Sequence, residues 1–193
     1  MKKLLFIMAF VGLYSCNSTK KATTDTPDKF VAENLMDYDL KEVKERYPDA
    51  NIEEGTNLYD EGTVERSYAI LYPGTKDEMH ITWNSDQQIF DIRFTEEGKW
   101  HSASGIKIGS TYEDLNRINE VPISFYGFGW DYSGAVVWNG GKLEDSDLRV
   151  FLGAENEPAD KFYGDHVVKA SPQEIKNMNL KVQAIVLKKS RKI

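Results

Sequence analysis

Between Val64 and Phe94 three runs of alternating character follow one another with little between them, and no other feature limits the possible folds so much. "VERSYAILY" (64–72) places Tyr68, Ile70 and Tyr72 on one face; "MHITW" (79–83) and "IFDIRF" (89–94) place Met79, Ile81, Trp83 and Phe90, Ile92, Phe94 inward. A two-residue period is that of a strand with one face on a core and the other in water. Pro73-Gly74 and Asn84-Ser85-Asp86 lie between the runs and are turn formers. The segment predicts an antiparallel three-strand meander.

A short amphipathic helix precedes it. Asp39 and Glu42 have capping-box spacing, and Met36, Leu40, Val43 and Tyr47 recur at helical intervals until Pro48 stops the run. The second half repeats the plan. Ser110 and Glu113 form another box, Leu115 and Ile118 an apolar stripe, and Val121-Pro122 an end; then come strand candidates at 123–132, 135–138 and 147–152. "SPQEIKNM", with Ser171 as cap and Pro172 at the first helical position, opens a third helix, and "LKVQAIVL" (180–187) reads as a last strand. The expected fold is therefore α+β, two related helix-strand-strand-strand halves (31–100 and 101–193) in one antiparallel sheet with helices on one face.

The N-terminus gives an address. Met1-Lys2-Lys3 and then "LLFIMAFVGL" have the build of a secretory leader, too short in its apolar part to span a bilayer. Leu13-Tyr14-Ser15-Cys16 resembles the lipobox of bacterial lipoproteins, which implies removal of residues 1–15 and diacylation of Cys16, the only cysteine. Polar residues 16–30 then read as a flexible tether. Asn17 after the cysteine, by resemblance to Gram-negative sorting signals, implies the outer membrane, on its periplasmic or its outer side. With 31 acidic against 24 basic residues the chain repels phosphate backbones, so nucleic acid is not an expected partner. The basic tail "KKSRKI" is a solvated end or a contact for anionic headgroups.

"FYGFGWDYSG" (125–134) concentrates five aromatics and three glycines in ten residues. Read as a strand, it puts Tyr126, Phe128, Trp130 and Tyr132 on one face and Phe125, Gly127, Gly129 and Asp131 on the other. The aromatic row either packs under the helices or turns its end, Trp130, Asp131 and Tyr132, outward as a surface for sugar rings or a partner's side chains. Gly127-Phe128-Gly129 lacks the third glycine of a dinucleotide loop.

No other motif names a reaction. In the expected hairpin, His80, Thr82, Asp91 and Arg93 share the polar face, with His80 near Arg93 and diagonal to Asp91, a weak cluster that suits either acid-base chemistry or plain solvation. His101 and His166 stand apart, and no pair has metal-ligand spacing. No catalytic residue, metal or cofactor is expected. The connection 153–170 is long enough to carry function.

A tandem helix-plus-meander in an exported lipoprotein resembles β-lactamase-inhibitor-protein-like domains and the small lipoprotein of the outer-membrane assembly machinery. "GIKIGSTYEDLNRIN" (105–119) is similar to the entry of such modules, and "FYGFGWDYSG" to a segment of Gram-negative envelope lipoproteins. The resemblance implies protein binding rather than catalysis. The expectation is a lipid-anchored adaptor that contacts an envelope protein. A glycan or peptidoglycan binder is the alternative, and an envelope hydrolase working through His80 and Asp91 or the 153–170 connection the third reading.

Overall fold

The structure, a computed structural model, describes residues 28–189. The expected leader and Cys16 lie outside these residues, as do most of the tether and the end of the basic tail. In chain order the elements are α1 (Leu40–Arg46), β1 (Glu53–Tyr59), β2 (Val64–Leu71), β3 (Met79–Trp83), β4 (Ile89–Phe94), α2 (Tyr112–Asn119), β5 (Ser124–Phe125), β6 (Val136–Val137), β7 (Leu148–Ala154), α3 (Pro172–Met178) and β8 (Leu180–Leu187), with 3-10 turns at Ala32–Leu35 and Asp160–Phe162. Six strands form an antiparallel sheet in the order β1-β2-β3-β4-β8-β7, and β5 and β6 form a separate pair. The protein is α+β.

All three helices begin with a reciprocal capping box. Asp39 and Glu42 serve α1, and Ser171 and Glu174 serve α3, as the spacing predicts. For α2 the cap is Thr111 with Asp114, one residue beyond the expected Ser110 and Glu113. Ser110 is spent elsewhere: its hydroxyl accepts from the Lys107 amide. Val43, Leu115 and Met178, one from each helix, enter the same core as the inward side chains of the sheet.

β1 has no counterpart among the expected strands. "EEGTNLY" lacks apolar alternation because it is the sheet edge, paired only with β2 and mostly exposed. On β2 the core receives Ala69 and Leu71, so Tyr68 and Ile70 lie on the outer face. On β4 Phe90 is not inward with Ile92 and Phe94. Thr82 pairs with Asp91 but Trp83 with Ile89, which leaves Phe90 as the extra residue of a bulge and turns its ring outward. The Arg66 guanidinium lies over that ring, 3.9 Å from its centroid, and Lys188 Nζ approaches within 4.0 Å.

The second half is not a second meander of equal strands. Of 123–132 only Ser124–Phe125 is strand, paired with Val136–Val137. Gly129 and Gly134 have φ of +81° and +70°, values that L side chains resist, and between them the chain turns rather than extends. β7 and β8 alone join the main sheet, β8 lying between β4 and β7. Residues 28–30, expected in the tether, are tied to the fold: Phe30 meets Trp100 edge-on at 5.0 Å, and Asp28 pairs with His101 at 3.1 Å.

Candidate functional site

The turn that breaks the aromatic strand also decides where its rings go. Gly134 lies against β7, where its carbonyl accepts from the Leu152 amide at 2.8 Å, and Ala135 bridges to Phe151. A Cβ on Gly134 would overlap the Leu152 carbonyl. Gly127 is equally hemmed in, its missing Cβ facing the carbonyls of Gly164 and Phe162 at 2.6 and 2.8 Å. The 153–170 connection thus approaches the backbone closely at that glycine, and it also bridges Tyr126 to Val167 and Phe128 to Tyr163.

The rings consequently divide. Phe128 is buried and packs at 5.9 Å from Phe125, although the strand reading put these two on opposite faces. Trp130 folds back, donating from Nε1 to the Gly127 carbonyl at 2.9 Å, and sits between Tyr126 (5.7 Å, 68°) and Tyr132 (5.3 Å, 54°). Asp131 is exposed, and Tyr132, 57% exposed, ends the ring series. The middle of the stretch lies in the core and its tip in water.

Tyr132 reaches an open groove of about 530 Å³ on the outer face of the sheet. The same groove is lined by His80, Asp91 and Arg93, so the two stretches singled out in the sequence meet in one place. The register explains why. His80 faces Arg93, Arg93 faces Val186, and Val186 faces Arg149, in one row across β3, β4, β8 and β7. With strands about 4.8 Å apart, the two arginines leave the sheet roughly 10 Å apart, on either side of Val186. Tyr59 closes the β1–β2 end, and Phe151 and Lys188 add an apolar and a basic wall.

Inside the groove the acids are already committed. Asp91 accepts from the Thr82 hydroxyl, and Glu78 accepts from the Gly74 amide at 2.7 Å and pairs with His80 at 2.8 Å. His80 therefore turns to Glu78, not to Asp91, and no His80–Asp91 pair forms. Arg93 and Arg149 are exposed and, among the described residues, have no carboxylate within ion-pair distance. Arg149, Tyr59 and Phe151 are not singled out by the sequence, and Lys188 stands there only as the first residue of the basic tail. Arg149 stands at the outward position of "DLRVFL", but only the register shows that it shares a row with Arg93.

The other two histidines are elsewhere. At His101 burial opposes the charged ring, but the Ser102 carbonyl and the Asp28 carboxylate outweigh it and raise the imidazole above its ordinary 6.5. His166 contacts the Lys161 carbonyl at 3.2 Å. Among the described residues no group of three or more His, Cys, Asp or Glu could hold a metal ion, and no helix is long and apolar enough to cross a membrane.

No protein-family model and no curated protein matches the chain. Among solved structures it is similar to the uncharacterized protein yfeY from Escherichia coli, with 14% identity, 73% of this chain and 81% of that chain covered, and a TM-score of 0.40.

Proposed function

We propose that the protein is a non-enzymatic binding or adaptor lipoprotein of the cell envelope. It is anchored through Cys16, in the outer membrane, and it contacts an envelope protein through the outer face of its sheet. The supporting observation is the convergence of Tyr132 with His80, Asp91 and Arg93 on one open groove. An exposed ring at the rim, uncommitted guanidiniums and an apolar floor form a surface that buries contact area and selects by charge. The sequence's resemblance to β-lactamase-inhibitor-protein-like modules belongs to the same reading, since that resemblance implies protein binding.

The ring geometry ranks the alternatives. A sugar platform presents its rings flat to the ligand, whereas Tyr126, Trp130 and Tyr132 meet at 68° and 54° and Trp130 is half-buried. A hydrolase would call for a histidine oriented by a carboxylate toward a substrate pocket. His80 has such a carboxylate in Glu78, but it is half-exposed, faces Arg93 and stands in an open groove rather than an enclosed pocket.

The test is a photoreactive group at position 132 of the full-length protein in intact cells, followed by mass spectrometry. Reproducible capture of one envelope protein is expected. Capture of glycan alone would overturn the adaptor reading in favour of polysaccharide binding.

A further inference from the structure

We infer that the groove receives an acidic segment of the partner protein, its carboxylates paired with Arg93 and Arg149 across Val186. The inference rests on the binding reading above and adds the chemistry of the ligand.

Charge is the first argument. The chain carries 31 acidic against 24 basic residues, and many of its surface cations pair with an acid. Lys44 with Glu54, Lys99 with Asp77, and Lys181 with Glu155 do so. Among the described residues Arg46, Arg93 and Arg149 are the arginines without a carboxylate in ion-pair distance, and two of them line the groove. Its acids are satisfied by Thr82, Gly74 and His80, while Arg93 and Arg149 stand without a carboxylate among the described residues. A guanidinium presents a planar fork of donors that matches a carboxylate. Two such forks on one wall, in a protein of net charge −7, select an anion locally that the molecule as a whole repels.

Spacing is the second. The two arginines rise from β4 and β7 with Val186 between them. One compact anion engages one fork fully. A chain with carboxylates on alternate side chains presents both on one face and engages both forks, its backbone passing over Val186. Same-face side chains of an extended peptide repeat at about 6.8 Å, within the reach of two flexible arginines about 10 Å apart at the backbone. The tilted rings at Tyr132 suit the edges and faces of peptide side chains better than stacked sugars.

The test is fluorescence anisotropy with the full-length protein in detergent micelles, using an end-blocked peptide that alternates glutamate with tyrosine and its lysine-tyrosine counterpart. Saturable binding of the acidic peptide alone is expected, weakening as salt is raised. Arg93→Gln and Arg149→Gln should each loosen it about five- to tenfold, while Lys142→Gln, whose lysine pairs with Glu120 outside the groove, should not. Both arginines are exposed, so neither substitution threatens folding. No saturable binding, or binding indifferent to both arginines, would overturn the inference. So would arginine-dependent binding of phosphatidylglycerol vesicles without any of the peptide, which would assign the groove to lipid headgroups. Protein capture from position 132 alongside failure of the peptide would remove the acidic ligand and leave the adaptor reading standing; glycan capture would remove both.

Discussion

Tyr132 and His80 line one groove, although Tyr132 sits in a turn held against the edge of β7 and His80 lies three strands away on β3. The sheet brings them together because β8 inserts between β4 and β7, which joins the second half of the chain to the open side of the first meander.

Gly134→Ala should detach the aromatic turn from β7. The new methyl group would collide with the Leu152 carbonyl, at a φ of +70° that an L residue resists. A loss of at least about 2 kcal/mol is expected in chemical denaturation, together with loss of capture from position 132. Gly62→Ala is the control. It shares a positive φ of +84° but meets nothing within 4 Å, so only the backbone term of about 1 kcal/mol remains.

The tryptophans should separate by burial. Trp83 is fully buried and donates to the Tyr38 carbonyl at 3.0 Å, so Trp83→Ala should cost about 3–5 kcal/mol. Trp130 is half-buried between two tyrosines, and Trp130→Ala should cost about 2 kcal/mol while changing binding more than stability. Equal losses in urea melts would place Trp130 in the core after all.

Phe90→Ala removes the ring beneath both Arg66 and Lys188. For a half-buried phenylalanine with two cations over its face the expected loss is about 1–3 kcal/mol. A strand without the bulge would bury that ring and show a larger loss in the same measurement.

The Asp28–His101 pair should make the docking of the N-terminal segment pH-dependent. The folded imidazole is held above its ordinary 6.5, so its contribution is full below about pH 6.5 and is lost as the pH rises through the raised value. Asp28 is held below 3.8 by the Phe30 amide and by His101, so its contribution is present above 3.8 and is lost as the pH falls through the lowered value. The pair is strongest between these limits. In an NMR titration of the His101 ring, Asp28→Asn should move the midpoint downward; an unchanged midpoint would remove Asp28 as a cause.

What was legible in the sequence was whatever depends on neighbours in the chain. The caps at Asp39 and Ser171 and the runs at 79–83, 89–94 and 180–187 are local signals, and they correspond to α1, α3, β3, β4 and β8. Phe90 was misplaced because a bulge is a property of two paired strands and leaves no trace in the period of one. "FYGFGWDYSG" kept its alternation on paper, yet Gly129 and Gly134 let the chain turn, and Trp130 found its acceptor in Gly127. The groove was half visible. His80, Asp91 and Arg93 share a hairpin, whereas Arg149 and Lys188 join them only through the pairing of β8 with both β4 and β7.

The central claim, that the outer sheet face is the binding surface, is tested most directly by comparing photocrosslinking in intact cells from position 132 with that from position 45. Glu45 is exposed on α1, whose Val43 enters the core on the other side of the sheet. The account predicts that one envelope protein is captured from 132 and not from 45, and that its yield collapses when Arg93 and Arg149 are both changed to glutamine. The same partner captured equally from both positions, or a yield indifferent to the two arginines, would contradict it.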